Sequence, residues 1–99
     1  MRMLLKVQMD VKAGNQAIKD GSFGEMIDRV LGQIKPEAVY FTAIDGKRTG
    51  LIFFDLQDPS QIPAICEPFF MSVNAAIDLM PVMTPEDVKA GLQEAAKAF

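Results

Sequence analysis

Residues 37–56 read EAVYFTAIDGKRTGLIFFDL, two alternating apolar runs joined by Asp45-Gly46. An Asp-Gly pair between such runs is a strong signal for a two-residue type I′ turn, because both central positions of that turn need positive φ. Before the turn, Val39, Phe41 and Ala43 share one face and Tyr40, Thr42 and Ile44 the other. After it, Ile52, Phe54 and Leu56 share one face and Thr49, Leu51, Phe53 and Asp55 the other. A loop of two or four residues matches the two apolar sets. A loop of three mixes them, since a slip of one residue reverses every side chain. This hairpin sets two strands and their faces, and the rest of the chain must be arranged around it.

The amino-terminal stretch RMLLKVQMDV alternates in the same way. Met3, Leu5, Val7, Met9 and Val11 lie on one side, and Leu4, Lys6, Gln8 and Asp10 on the other, which predicts a half-buried strand. Met26, Ile27, Val30, Leu31 and Ile34 then fall at helical spacing. Ser22 with Glu25 forms a capping-box pattern, so the helix is expected from Ser22 to the stop at Pro36, after a short turn near Asn15–Lys19. A second helix is expected in DPSQIPAICEPFF, with Ser60 as N-cap and Pro68 as a stop or bend. FFMSVNAAIDLMPVM, residues 69–83, reads as a fourth strand, with Val73, Ala75, Ile77 and Leu79 on one face and Asn74, Ala76, Asp78 and Met80 on the other. Pro81 places it at a sheet edge. Thr84, Pro85 and Asp87 mark the start of a last helix with a narrow apolar stripe of Val88, Leu92, Ala95 and Phe99.

The expected order is β-α-β-β-α-β plus a terminal helix, an α+β fold of the ferredoxin-like split βαβ kind. Residues 1–83 form the core and residues 84–99 the added helix of a single domain. Both core helices cover one sheet face. The opposite face then carries Leu4, Ile44, Leu51 and Met80 beside Lys6, Gln8, Tyr40, Thr42, Phe53, Asp55, Asn74 and Asp78. Left open, such a face is a sticky patch; fully buried, it holds too many carboxylates. A mixed lining fits a face covered by a second sheet around a small polar cavity. The eight residues Lys6, Gln8, Tyr40, Thr42, Phe53, Asp55, Asn74 and Asp78 are therefore the expected ligand pocket. Within it, Lys6 is expected near Asp78 or Asn74 on one side and near Asp55 or Phe53 on the other.

Composition narrows the chemistry. The chain has 99 residues, 49% of them hydrophobic, which bounds it to one domain with apolar surface to spare for a partner. The net charge is −3, the pI is about 4.8, and only Lys47-Arg48 places two basic residues side by side, so neither nucleic acid nor an anionic membrane is an expected partner. Lys47 and Arg48 read as solvated residues at the hairpin tip. There is no histidine, which removes the commonest general base and metal ligand and the usual haem ligand. Asp10, Asp55 and Asp78 sit on separate strands with no loop to gather them round a cation. No metal or cofactor is expected. Cys66 is the only cysteine and reads as a small core residue. With no disulfide framework and an apolar start too short for a signal peptide, a cytoplasmic location is expected.

The stretches IKPEAVYF, GKRTGLIFFDLQDPSQIP and FFMSVNAAIDLMPVMTPEDV resemble a small bacterial branch of the dimeric α/β-barrel superfamily, and the likeness covers residues 1–83. Phe54-Asp55-Leu56 followed by Pro59-Ser60 is more distantly similar to the muconolactone isomerases. The resemblance implies a homodimer closed by two sheets face to face. The superfamily includes cofactor-free monooxygenases, isomerases, haem proteins and proteins with no activity, so the fold alone assigns no reaction. Three functions follow as expectations. The first is a dimer with a small-molecule cavity. The second is a cofactor-independent isomerase or monooxygenase acting on a small anionic or aromatic metabolite. The third is a purely structural dimer.

Overall fold

The first strand, β1 (Arg2–Gln8), keeps its alternation: Met3, Leu5 and Val7 are buried, and Leu4, Lys6 and Gln8 are half-buried. The computed structural model describes all 99 residues. It is an α+β fold of one four-stranded antiparallel sheet and four helices. The other strands are β2 (Ala38–Ile44), β3 (Lys47–Asp55) and β4 (Ala76–Pro81), in the order β2-β3-β1-β4. The β2–β3 register pairs Ile44 with Lys47, leaving Asp45 and Gly46 as the loop. Their φ values of 56° and 74° are the two positive angles that a type I′ turn requires. Gly46 adopts this angle without steric cost.

Three helices cover one face: α1 (Val11–Lys19), α2 (Ser22–Ile34) and α3 (Ile62–Val73). The main core joins Leu5, Val7, Ile52 and Phe54 of the sheet to Met26, Ile27 and Val30 of α2 and Ile65, Cys66 and Phe69 of α3. A smaller cluster joins Met9, Ala17 and Val73. No helix is long and apolar enough to cross a membrane.

The chain between residues 9 and 22 departs from expectation. The strand ends at Gln8, and a full helix runs from Val11 to Lys19 where only a turn near Asn15 was expected. Asp10 causes the switch: its carboxylate accepts a hydrogen bond from the Ala13 amide at 2.9 Å and caps the helix. Val11 therefore leaves the sheet and is exposed. Helix α1 lies close to the sheet because Gly14 has no side chain; a Cβ there would meet Arg48 Nη1 at 3.0 Å and Met9 Cε at 3.2 Å. Arg48 is not free at the hairpin tip, since it donates to Asn15 Oδ1 at 2.9 Å and ties α1 to β3. Asp10→Ala is expected to lower stability by about 1 kcal/mol, read as a reduced urea midpoint with an unchanged slope. A wild-type midpoint would mean that packing alone holds α1.

Helix α2 starts at Ser22, but without the expected capping box. Gly21, at φ 80°, is the N-cap and makes no side-chain bond, and the Ser22 amide donates instead to Asp20 Oδ1 at 2.9 Å.

The larger correction lies in residues 59–75. Asp58, not Ser60, is the cap, accepting from the Ser60 amide at 2.8 Å above a 3-10 turn at Pro59–Gln61. Helix α3 then passes through Pro68 and ends only at Val73. Phe69–Val73 are helical, so the fourth strand is six residues long and Asn74 is not part of it. The reason is burial. Ile62, Ile65, Cys66, Phe69 and Val73 recur at i, i+3, i+4, i+7 and i+11, a helical stripe that packs on the sheet. That gain outweighs the hydrogen bond lost at Pro68.

The last helix, α4 (Pro85–Ala96), has the expected cap. Thr84 Oγ1 accepts from the Asp87 amide at 3.1 Å, and Asp87 Oδ2 accepts from the Thr84 amide at 3.0 Å. Helix α4 buries none of its residues.

Candidate functional site

The sheet face away from α1–α3 is the candidate site. Its side chains form cross-strand rows that follow from the register. One row runs Tyr40–Leu51–Lys6–Asp78. A second runs Ala38–Phe53–Leu4–Met80, and a third Thr42–Thr49–Gln8–Ala76. Directly opposed Cβ atoms lie about 4.5–5.5 Å apart. Six of the eight expected pocket residues, Lys6, Gln8, Tyr40, Thr42, Phe53 and Asp78, thus share one surface about three rows deep.

The polar groups in these rows differ in how far they are committed. Gln8 Nε2 reaches over β3 and donates to the Ile44 carbonyl at 3.0 Å, so Gln8 braces the hairpin. Thr49, 2% exposed, turns its hydroxyl to the Lys47 carbonyl at 3.1 Å. Lys6 and Asp78 are opposed but form no ion pair with each other; the ion pairs of the molecule are Met1–Asp55, Arg2–Glu37 and Lys97–Glu94. Tyr40 is 63% exposed, and its hydroxyl has no hydrogen-bond partner among those of the molecule. Lys6, Asp78, Tyr40 and Thr42 are therefore the groups on this face with hydrogen-bonding capacity to spare.

Two expected members lie elsewhere. Asp55 pairs with Arg2 at the end of the sheet, away from Lys6. It accepts from the Met1 ammonium and from Gln57 Nε2, both at 2.6 Å. The hydrogen bond and charge of that ammonium hold its carboxyl below the usual range. Asn74 is the C-cap of α3, in the left-handed conformation at φ 46°. The misread strand explains its false placement. Asp10, expected on this face, is the cap of α1. The three aspartates Asp10, Asp55 and Asp78 are not gathered, and no cluster of three metal-ligating side chains occurs.

Two hollows escaped sequence reasoning because they form between elements distant in the chain. An apolar hollow under α2, bounded by Val7, Ile27, Phe41, Ile52 and Phe69, measures about 20 Å³. That is room for about one water, far short of the roughly 300–1,000 Å³ of small-molecule sites. A wider cleft of about 600 Å³ lies between the end of α2 and the start of α3, lined by Gln33, Lys35, Asp55, Gln57 and Gln61 among others. Three of its polar residues are spent locally: Gln61 Oε1 accepts from the Gln57 and Asp58 amides, both at 3.1 Å, and Gln57 donates to Asp55, while Gln33 and Lys35 make no side-chain hydrogen bond. Cys66 lies inside the core, and burial, aided by the charge of Glu67, pushes its thiol up and away from reactivity.

No family model matches the sequence, and no curated protein matches it.

Proposed function

We propose that the protein is a homodimer of ferredoxin-like subunits, a small dimeric α/β barrel, whose paired sheets enclose a binding site for a small anionic or aromatic metabolite. One observation carries this reading: three helices cover one sheet face, while the other presents Leu4, Leu51, Phe53 and Met80 in rows with Lys6, Tyr40 and Asp78. The antiparallel order β2-β3-β1-β4 with helical crossovers supports the ferredoxin-like reading. In the closed dimer the apolar row seals against its counterpart, and the row of Tyr40, Lys6 and Asp78 has the uncommitted groups that hold a ligand. Lys6 binds an anionic group, Tyr40 donates a hydrogen bond, and Asp78 accepts one. The unpaired opposition of Lys6 and Asp78 also supports the second reading, a cofactor-free isomerase or oxygenase, in which Asp78 takes a proton and Lys6 steadies the resulting anion.

Two measurements test this. Sedimentation equilibrium is expected to give a dimer, and Leu51→Glu is expected to weaken it by at least about tenfold by burying charge at the face centre. A panel of small acidic and aromatic metabolites is expected to raise the melting temperature, as any ligand of the native state must. Lys6→Ala and Asp78→Ala are expected to abolish that shift and leave the dimer in place. A dimer with no shift across the panel leaves a structural dimer; a monomer at every concentration overturns the proposal.

A further inference from the structure

The wider cleft, between the end of α2 and the start of α3, lies within one subunit and is separate from the open sheet face. Its volume of about 600 Å³ falls inside the roughly 300–1,000 Å³ of small-molecule sites. Ile34, Phe54 and Ile65 give it an apolar floor. Phe54 and Ile65 belong to the main core and Ile34 packs against it, so the floor is fixed in place.

The rim above that floor is rich in unused donors. Gln61 is held in one orientation, because its Oε1 accepts from the Gln57 and Asp58 amides. Its Nε2 is left free to donate. Gln33 has no side-chain partner, so its amide is free as well. Lys35 adds an ammonium. An adjoining hollow of about 390 Å³ shares Lys35 and Asp55 with the cleft and adds Arg2 and Glu37. Among these four, Arg2 pairs with Glu37 and Asp55 with the Met1 ammonium, both at 2.6 Å. Lys35 alone has no opposite charge, so the site carries an unmatched positive charge.

The backbone of Lys35 points the same way. Lys35 is the C-cap of α2, in the left-handed conformation at φ 47° and ψ 66°. Glycine is the usual residue in that conformation, since a Cβ is crowded there. Pro36 follows and biases the residue before it toward extended backbone. Stability by itself thus favours glycine at position 35. A lysine in a disfavoured conformation at the mouth of a cleft, with no ion pair in its own chain, fits a residue whose charge serves a ligand.

We infer that this cleft binds a small carboxylate that carries a short apolar tail. The ammonium of Lys35 and the Nε2 groups of Gln61 and Gln33 take the carboxylate as charge-assisted hydrogen bonds. The tail lies on Ile34, Phe54 and Ile65. The site does not depend on the dimer or on the ligand of the open face.

The cleft is open to solvent, so the contact is read residue by residue, by NMR of the full chain as hexanoate is added. Amide shifts are expected to concentrate at Gln33, Lys35, Gln57 and Gln61. Acetate, which lacks the tail, and hexanol, which lacks the charge, are each expected to bind at least about tenfold more weakly. Lys35→Gly is expected to remove hexanoate binding without lowering the melting temperature, since glycine suits the left-handed position. Lys6→Ala is expected to leave the cleft shifts intact. Hexanoate that moves none of the cleft amides overturns the inference, and so does hexanoate binding that survives Lys35→Gly. Acetate that binds as tightly as hexanoate overturns it too, because the floor then plays no part. Shifts that vanish in Lys6→Ala place the anion on the open sheet face, which overturns the cleft and leaves the reading of that face standing.

Discussion

Phe54→Ala is expected to cost about 3–5 kcal/mol of stability, the usual range for emptying a fully buried aromatic site. Phe54 is 1% exposed, near the end of β3, and packs with Leu5 and Ile52 of the sheet and with residues of α2 and α3. A domain of this size has about 5–15 kcal/mol in total, so the variant is left near the edge of folding. Each kcal/mol moves the melting temperature by about 4–8 °C in a domain of this length. Phe54→Leu, which keeps most of the volume, is expected to cost under about 1.5 kcal/mol. Urea denaturation of both variants checks the pair. Equal, small losses would mean that the layer between sheet and helices is looser than its burial indicates.

Phe69→Ala is the second large effect, again about 3–5 kcal/mol, and its value lies in its contrast with Met71. In a strand from residue 69 to residue 75, Phe69, Met71 and Val73 point the same way and all three matter. In a helix, Phe69 and Val73 share a face and Met71 points outward. Phe69 is 1% and Met71 81% exposed, so Met71→Ala is expected to change stability by less than about 0.5 kcal/mol. Comparable losses from both substitutions would restore the strand and bring Asn74 back to the open sheet face.

The two errors that mattered at the candidate site arose at places where two periods compete. From Met9 to Val11 the alternation continues in the sequence after the strand has ended, and only the bond that the Ala13 amide donates to Asp10 marks the change. From Phe69 to Val73 the residues suit either period. A proline at position 68 argues locally against a helix, yet the helix continues because its stripe has a core to fill. Asp55 was misplaced for a different reason. Its parity was read correctly, but its position along the strand was not, and the register sets it beside Arg2 and the Met1 ammonium instead of Lys6.

What the sequence alone determined was local. The Asp-Gly turn and its register, the faces of β1, β2 and β3, the Pro81 edge and the cap of α4 all follow from φ preferences, period-two alternation and hydrogen bonds between near neighbours. What only the tertiary structure decided was non-local: how far α3 extends, that α1 is a helix held by Arg48, which polar groups on the open face remain uncommitted, and that α4 stands clear of its own core. Those outcomes depend on how much apolar surface one element buries against another, a quantity that no stretch of chain contains by itself.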